Sequence, residues 1–111
     1  MINLIDYKTL KFNGKIIVSP ERIRQYNEFC YNKFLVILFI AKEGDIEDIG
    51  RVGENVHCYD VQGNLKWKYP LGIVGIAKEN EETAILYDGE YIHYVDVATG
   101  IEDKDRMTFT K

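Results

Sequence analysis

The stretch IAKEGDIEDIGRVGENVHCYDV, residues 40–61, recurs further along the chain as IAKENEETAILYDGEYIHYVDV, residues 76–97. The two stretches align without a gap at a spacing of 36 residues, and ten of the 22 positions are identical. Chance does not produce a match of this length in a chain of 111 residues. Such a period in strand-rich sequence is typical of a repeated supersecondary unit, for example the four-stranded blade of a β-propeller.

Strand signals continue outside the repeat. LKFNGKIIV at 10–18 predicts a hairpin, because Asn13 and Gly14 can adopt the positive φ angles of a tight two-residue turn. SPERIRQYNEF at 19–29 is interpreted as a turn leading into a strand, with a capped helix as the alternative. FLVILFI at 34–40 has no polar side, which predicts a central strand covered on both faces.

A second hairpin is predicted at VQGNLKWKY, residues 61–69. Strict alternation along its second strand would place Leu65, Trp67 and Tyr69 on one buried face. The chain length suits a single domain. We therefore expect an all-β, antiparallel domain with an N-terminal hairpin and strand and two blade-like four-stranded units, packed as a partial propeller or as a sandwich. The expected parts span residues 1–33, 34–69 and 70–111.

The repeat also bears on the two histidines. His57 and His93 occupy equivalent positions, which favours one duplicated structural position over a catalytic pair. Asp60 and Asp96 precede turns that contain glycine, and we interpret them as turn formers. An enzyme that uses the histidines with Asp60 is the weaker hypothesis, since the sequence has no nucleophile elbow, phosphate loop or cluster of metal ligands.

Composition narrows the other classes of function. Cys30 and Cys58 lie in strand-like sequence without a CxxC spacing, so we expect reduced packing residues rather than a disulfide or a metal site. No secretory leader is recognisable at the N-terminus, and the apolar run at 34–41 is too short to span a bilayer. These features favour a cytoplasmic protein with neither metal nor cofactor and without membrane association.

NVHCYDVQGNLKWKY and YIHYVDVATGIEDKD resemble the repeat of quinoprotein-type β-propellers, in which a strand ending in Asp leads through a Gly turn to a strand with Trp. Trp67 follows Gly63 by four residues, whereas Lys104 stands at the matching place after Gly100. A closed propeller needs at least four blades, which excludes a quinone-binding dehydrogenase of this size. The resemblance implies the blade fold without the cofactor.

The whole chain is similar to small bacterial immunity proteins, on the matching pieces LIDYKTLKFNGKIIV, FLVILFI and NVHCYDVQGNLKWKY. Such proteins neutralise interbacterial toxins by direct binding, for instance those of contact-dependent growth inhibition. The resemblance implies a cognate protein toxin as partner and no catalytic activity. The alternative is a non-catalytic module that self-associates, with several chains completing a propeller-like ring.

Charge supports an acidic contact surface. Residues 40–61 carry two basic and six acidic side chains, and residues 76–97 carry one and six, in a chain of net charge −4. If equivalent loops emerge on one edge, the loops 42–48 and 78–82 form a single acidic rim. Such a rim suits a basic partner, for example a nuclease toxin, and disfavours direct nucleic-acid binding.

We predict that the partner-binding surface combines acidic residues of both loops with two tyrosines beside them, because tyrosine is enriched where interface energy concentrates. The residues are Asp45, Glu47, Asp48, Glu81, Glu82, Tyr87 and Tyr91.

Overall fold

A computed structural model describes residues 2–40 and 53–109. Within these residues the chain forms eleven strands, and the only helical segment is one turn of 3₁₀ helix at Lys104–Arg106. The strands form three antiparallel sheets of three, four and four strands, so the predicted all-β antiparallel class is confirmed.

Each sheet is a meander of consecutive strands. The N-terminal sheet contains β1 (Ile2–Leu4), β2 (Thr9–Phe12) and β3 (Lys15–Val18). The central sheet contains β4 (Ile23–Phe29), β5 (Phe34–Phe39), β6 (Val56–Asp60) and β7 (Leu65–Lys68). The C-terminal sheet contains β8 (Gly75–Lys78), β9 (Thr83–Tyr87), β10 (Tyr91–Asp96) and β11 (Thr108–Phe109).

The three sheets stack as layers with the central sheet in the middle. Its strand β5 alternates between two apolar clusters, because successive side chains of a strand point to opposite faces. Val36 and Leu38 join the cluster shared with the C-terminal sheet. Leu35, Ile37 and Phe39 join the cluster shared with the N-terminal sheet. The prediction of a central strand covered on both faces is confirmed.

Both predictions for the N-terminal third are confirmed. Asn13 and Gly14 have φ angles of 49° and 84° and connect β2 to β3 in the predicted hairpin. The segment after Pro20 enters strand β4 at Ile23 and forms no helix. Because β4 pairs with β5, the first four-stranded sheet begins at Ile23 and not at Phe34, where the repeat suggested its start.

The spacing of 36 residues holds for only one pair of strands. His57 of β6 lies opposite Ile37 of β5, and His93 of β10 lies opposite Leu86 of β9. The structural counterpart of β9 is therefore β5, although the gapless alignment matches β9 to residues 47–51. The connection from β5 to β6 is much longer than that from β9 to β10, so the period is not constant along the chain.

The second hairpin forms, but its alternation is broken. Cys58 lies opposite Trp67, whereas Tyr59 lies opposite Leu65, so Lys66 is an extra residue in a bulge. Because a bulge reverses the alternation, Leu65 and Trp67 face opposite sides of the sheet. Leu65 is 44% exposed, Trp67 is half-buried and Tyr69 is buried. The prediction that all three share one buried face is wrong for Leu65.

Successive sheets also meet at one edge, which we call the turn edge. It carries the connections β2–β3, β4–β5, β6–β7 and β8–β9. The Asn13 side-chain amide donates to the Asn32 carbonyl over 2.6 Å. The Cys30 N–H donates to the Glu81 carbonyl over 2.7 Å. The first strands of the two larger sheets also approach, since the Ile76 N–H donates to the Gln25 side-chain oxygen over 2.7 Å.

Candidate functional site

The two histidines occupy equivalent strand positions but different environments. His57 on β6 is buried on the face toward the N-terminal sheet, with its ring edge-on to Phe39 at 4.8 Å between centroids. Its Nδ1 lies 3.2 Å from the Tyr59 hydroxyl. Burial lowers the pKa of His57, and the nearby charge of Lys68 lowers it further. His57 is therefore a neutral core residue near pH 7.

His93 on β10 lies between two carboxylates. Its Nε2 is 2.7 Å from Asp88 Oδ2 and its Nδ1 is 2.7 Å from Glu102 Oε2. Burial by itself lowers the pKa of His93, but hydrogen bonds to Asp88 and Glu102 together with their charges raise it above its usual value. The Tyr69 hydroxyl donates to the other Glu102 oxygen over 2.5 Å. We call these four residues the His93 cluster.

The contacts of the His93 cluster also shift the pKa values of Asp88 and Glu102. Burial raises the pKa of Asp88 and of Glu102, yet the hydrogen bonds that they accept leave both values below the usual range. For Glu102 the donors are Tyr69 and His93, and for Asp88 they are His93 and the backbone of Tyr91 and Glu90. The contacts thus favour the protonated ring between two carboxylates, because ionic partners compensate each other's burial.

Both ring nitrogens of His93 are used in contacts between segments of the chain. Each ring nitrogen of His93 faces a carboxylate oxygen at 2.7 Å, so both nitrogens already have a partner within the protein. The cluster connects three segments: the end of the central sheet at Tyr69, the β9–β10 turn at Asp88 and the residues after β10 at Glu102. Its chemistry is that of a clamp between two sheets.

A pocket of about 410 Å³ lies beside the cluster, lined partly by Tyr69, His93 and Glu102. Its remaining lining mixes the apolar side chains of Pro70, Leu71 and Met107 with Lys104. Its ionisable groups are Tyr69, His93 and Glu102 of the His93 cluster together with Lys104.

Sequence reasoning missed the partners of His93. Asp88 precedes His93 by five residues, Glu102 follows it by nine, and Tyr69 lies on another sheet. None of these separations is a strand spacing that places side chains on one face. The one usable signal was the Asp88-Gly89 pair, which marked a tight turn beside the histidine strand.

The aspartates of the repeat have the role predicted for them. Asp60 Oδ1 accepts hydrogen bonds from the Gln62 and Asn64 N–H groups over 2.9 and 3.0 Å. Asp96 Oδ2 accepts from the Thr99 N–H over 3.1 Å and from its hydroxyl over 2.8 Å. Both carboxylates close turns, which confirms the interpretation as turn formers.

Both cysteines are free thiols in the core region. Cys58 is buried among the apolar side chains between the central and C-terminal sheets, and Cys30 packs against the same cluster. Burial raises the pKa of Cys58 to about 12. The pKa of Cys30 is raised by burial first and then by the charges of Glu82, Asp96 and Glu81. Neither thiol has the low pKa of a reactive cysteine.

The first predicted acidic loop, residues 42–48 with Asp45, Glu47 and Asp48, lies outside the described residues. The strand ends that flank it, Phe39 and Val56, lie at the edge opposite the turn edge. The second loop, between β8 and β9, lies at the turn edge, so the flanking strands give no support for one shared rim.

Glu81 and Glu82 differ sharply. Glu81 forms an ion pair with Lys78, and its other carboxylate oxygen accepts the Tyr31 N–H over 2.8 Å. The hydrogen bond with Lys78 lowers the pKa of Glu81 first, followed by that with the Tyr31 backbone. Glu81 therefore holds the β4–β5 turn, a role that the sequence did not suggest. Glu82 is exposed and leaves its carboxylate in solvent.

Tyr87 and Tyr91 lie far along the strands from these acids. Tyr87 ends β9, is 37% exposed, and donates its hydroxyl to the Gly89 carbonyl over 3.0 Å. The Tyr91 ring packs on Phe109 of β11 at 5.0 Å between centroids. Glu81 and Glu82 stand at the other end of the same strands, so the structure does not bring the four residues into one patch.

The described residues contain neither a candidate metal site nor a candidate membrane-spanning helix. Across residues 2–40 and 53–109, no group of three or more His, Cys, Asp or Glu side chains could hold a metal ion. The part of the chain that the structure describes has no helix of the length and apolarity that crossing a membrane requires. Comparisons with protein-family models, with curated proteins and with solved structures gave no match.

Proposed function

We propose that this chain is a non-catalytic protein-binding module built from blade-like sheets. The three meanders, of three, four and four strands, follow one another along the chain and stack face to face. The first strands of the central and C-terminal sheets approach each other, as radially arranged sheets do. His57 and His93 also face the preceding sheet in both cases, as expected of one unit repeated in one orientation.

The partner that we propose is a basic protein. The observation that carries this is the concentration of charge in the C-terminal sheet. Residues 75–109 contain three basic and nine acidic side chains, a net charge of −6, whereas the whole chain has −4. At the turn edge the charges of Glu82, Asp96 and Glu81 raise the pKa of Cys30 after burial does, and the charge of Lys33 lowers it. A net negative field favours association with a basic surface.

Among basic partners, a toxin that cleaves nucleic acid suits the surface best, because its active-site cleft must be basic to hold phosphates. In this proposal the chain is an immunity protein that covers that cleft, with Glu82 and the acidic residues between positions 42 and 48 as contacts. The locked ring of His93 and the neutral ring of His57 support a binding role over an enzymatic one.

The direct test is co-expression with the protein encoded by the neighbouring reading frame. We expect that protein to arrest growth of a bacterial host when produced alone, and growth to recover when this chain is produced with it. A neighbouring product without toxicity, or a toxic one whose effect this chain does not relieve, would contradict the proposal. A His57→Gln variant of this chain should restore growth as well as the parent chain does.

A further inference from the structure

No other sheet of the described residues covers the outer face of the C-terminal sheet, which is largely apolar, although Arg106 lies over the Tyr94 ring at 4.0 Å and binds Glu79. Register places the outward side chains of β8, β9 and β10 in adjacent rows. Ala77, Ile85 and Tyr94 form one row, and Tyr87 and Ile92 form the next. Ala77 and Tyr87 are exposed, and the other three are partly exposed. None of these five positions carries a charged side chain.

The corresponding face of the central sheet is fully covered. His57 and His93 are equivalent, so Val56 and Cys58 correspond to Ile92 and Tyr94. Their cross-strand neighbours Leu38 and Val36 correspond to Tyr87 and Ile85. All four central-sheet residues are at most 1% exposed, because the C-terminal sheet packs on them. The equivalent positions on the outer face of the C-terminal sheet thus carry apolar and aromatic side chains of the kind that pack against another sheet.

The opposite end of the stack has a second uncovered face. The N-terminal sheet buries Leu10, Phe12 and Ile17 against the central sheet and turns Lys11, Ile16 and Val18 outward. Ile16 is 56% exposed and Val18 is 62% exposed. In the order of the stack, this is the face that would lie on a preceding sheet.

The segments that form the two end sheets carry opposite net charges. Residues 1–18 contain three basic side chains and one acidic side chain, a net charge of +2, against −6 for residues 75–109. Like end faces would bring charges of one sign together, while unlike end faces bring opposite charges together. Attraction therefore favours contact between the N-terminal sheet of one copy and the C-terminal sheet of another.

We infer that two copies of this chain assemble head to tail, with the outer face of each N-terminal sheet covering the outer face of the other copy's C-terminal sheet. The inference rests on the blade arrangement proposed above and not on the toxin surface. Propellers have four to eight blades. Two chains of three sheets give six, within that range, and three chains give nine, beyond it. Two identical heterologous contacts then close the ring.

Sedimentation and light scattering of the full chain test the inference. We expect a species of twice 12.9 kDa. Ile16→Lys and Ala77→Lys, each placing a charge on one end face, should give monomers with unchanged circular dichroism and thermal unfolding. Leu65→Lys is the matched control, because Leu65 is exposed on the central sheet and belongs to neither end face. That variant should remain a dimer.

Mixing the variants distinguishes head-to-tail from like-to-like contact. An equimolar mixture of Ile16→Lys and Ala77→Lys retains one intact contact per pair, so we expect dimers to reappear in the mixture alone. A parent chain that stays monomeric at the highest concentration reached in solution would overturn the inference. A dimer broken by only one of the two variants would also overturn it. A monomer that still protects against the toxin would refute this inference and leave the proposed function standing.

Discussion

At the scale of single residues, the two histidines show what a repeat can and cannot predict. The shared position on β6 and β10 followed from the sequence, because the strand and its Asp turn recur together. The opposite pKa shifts of the two histidines could not be predicted from the sequence. The shift of His93 depends on Asp88, Glu102 and Tyr69, which the fold brings together from separate segments. His57 lacks such partners and packs against Phe39 instead.

His93→Gln should destabilise the protein by roughly 2–4 kcal/mol, because it leaves two largely buried carboxylates without a cation. The folded-state pKa of His93 is raised above 6.5, so its stabilisation is complete below pH 6.5 and is lost as pH rises through the folded value. The lowered pKa values of Asp88 and Glu102 remove the stabilisation in acid. Denaturant unfolding should show the largest difference between pH 4.5 and 6.5.

His57→Gln serves as the control, because the pKa of His57 is shifted in the opposite direction from that of His93. The folded-state pKa of His57 is lowered, so below pH 6.5 the unfolded chain binds a proton that buried His57 resists. The parent protein should lose stability there on acidification, and the variant should lose less. Identical pH profiles for the two glutamine variants would show that the histidines do not differ in charge.

At the scale of elements, local chemistry predicted most strands and failed where the register changes. Asn13-Gly14 and the apolar run of β5 were sufficient because turn type and two-sided burial act locally. The bulge at Lys66 was invisible, since one extra residue in β7 leaves no mark on the alternation of Leu65, Trp67 and Tyr69. The long β5–β6 connection likewise concealed that β4 belongs to the central sheet.

Trp67 connects the central sheet to the turn after β10. Its indole N–H donates to the Val97 carbonyl over 2.6 Å, and its ring packs on Gly100. A Cβ at Gly100 would lie 2.6 Å from Trp67 Cγ, and the residue has a φ of 76°. Only glycine satisfies both conditions without displacing the ring.

Gly100→Ala should therefore cost about 2–4 kcal/mol, the sum of a left-handed alanine and an overpacked contact. Gly14→Ala is the matched control, because Gly14 has a φ of 84° and no atom within 4 Å of its added Cβ. That control should lose only about 1–2 kcal/mol. Equal losses in chemical denaturation would mean that the Trp67 contact does not join the sheets.

At the scale of the whole molecule, the sequence predicted two repeated units and the structure has three stacked sheets. The N-terminal sheet lacks the His and Asp pattern, so its place as a further layer follows only from the packing of Leu10, Phe12 and Ile17. The acidic excess of the C-terminal part was predictable, because net charge follows from the amino-acid composition alone. The use of Glu81 to hold the β4–β5 turn was not, since it depends on two sheets meeting.

The most direct test of the proposed function is the affinity between this chain and the toxic product of the neighbouring frame, measured by calorimetry at several salt concentrations. Asp45→Lys, Asp48→Lys and Glu82→Lys together should preserve the fold, weaken binding about tenfold or more and flatten its salt dependence, because salt screens the attraction between opposite charges. Glu21→Lys, a reversal outside the acidic segments, should bind like the parent. Equal affinity of the triple variant and the parent would contradict an acidic interface.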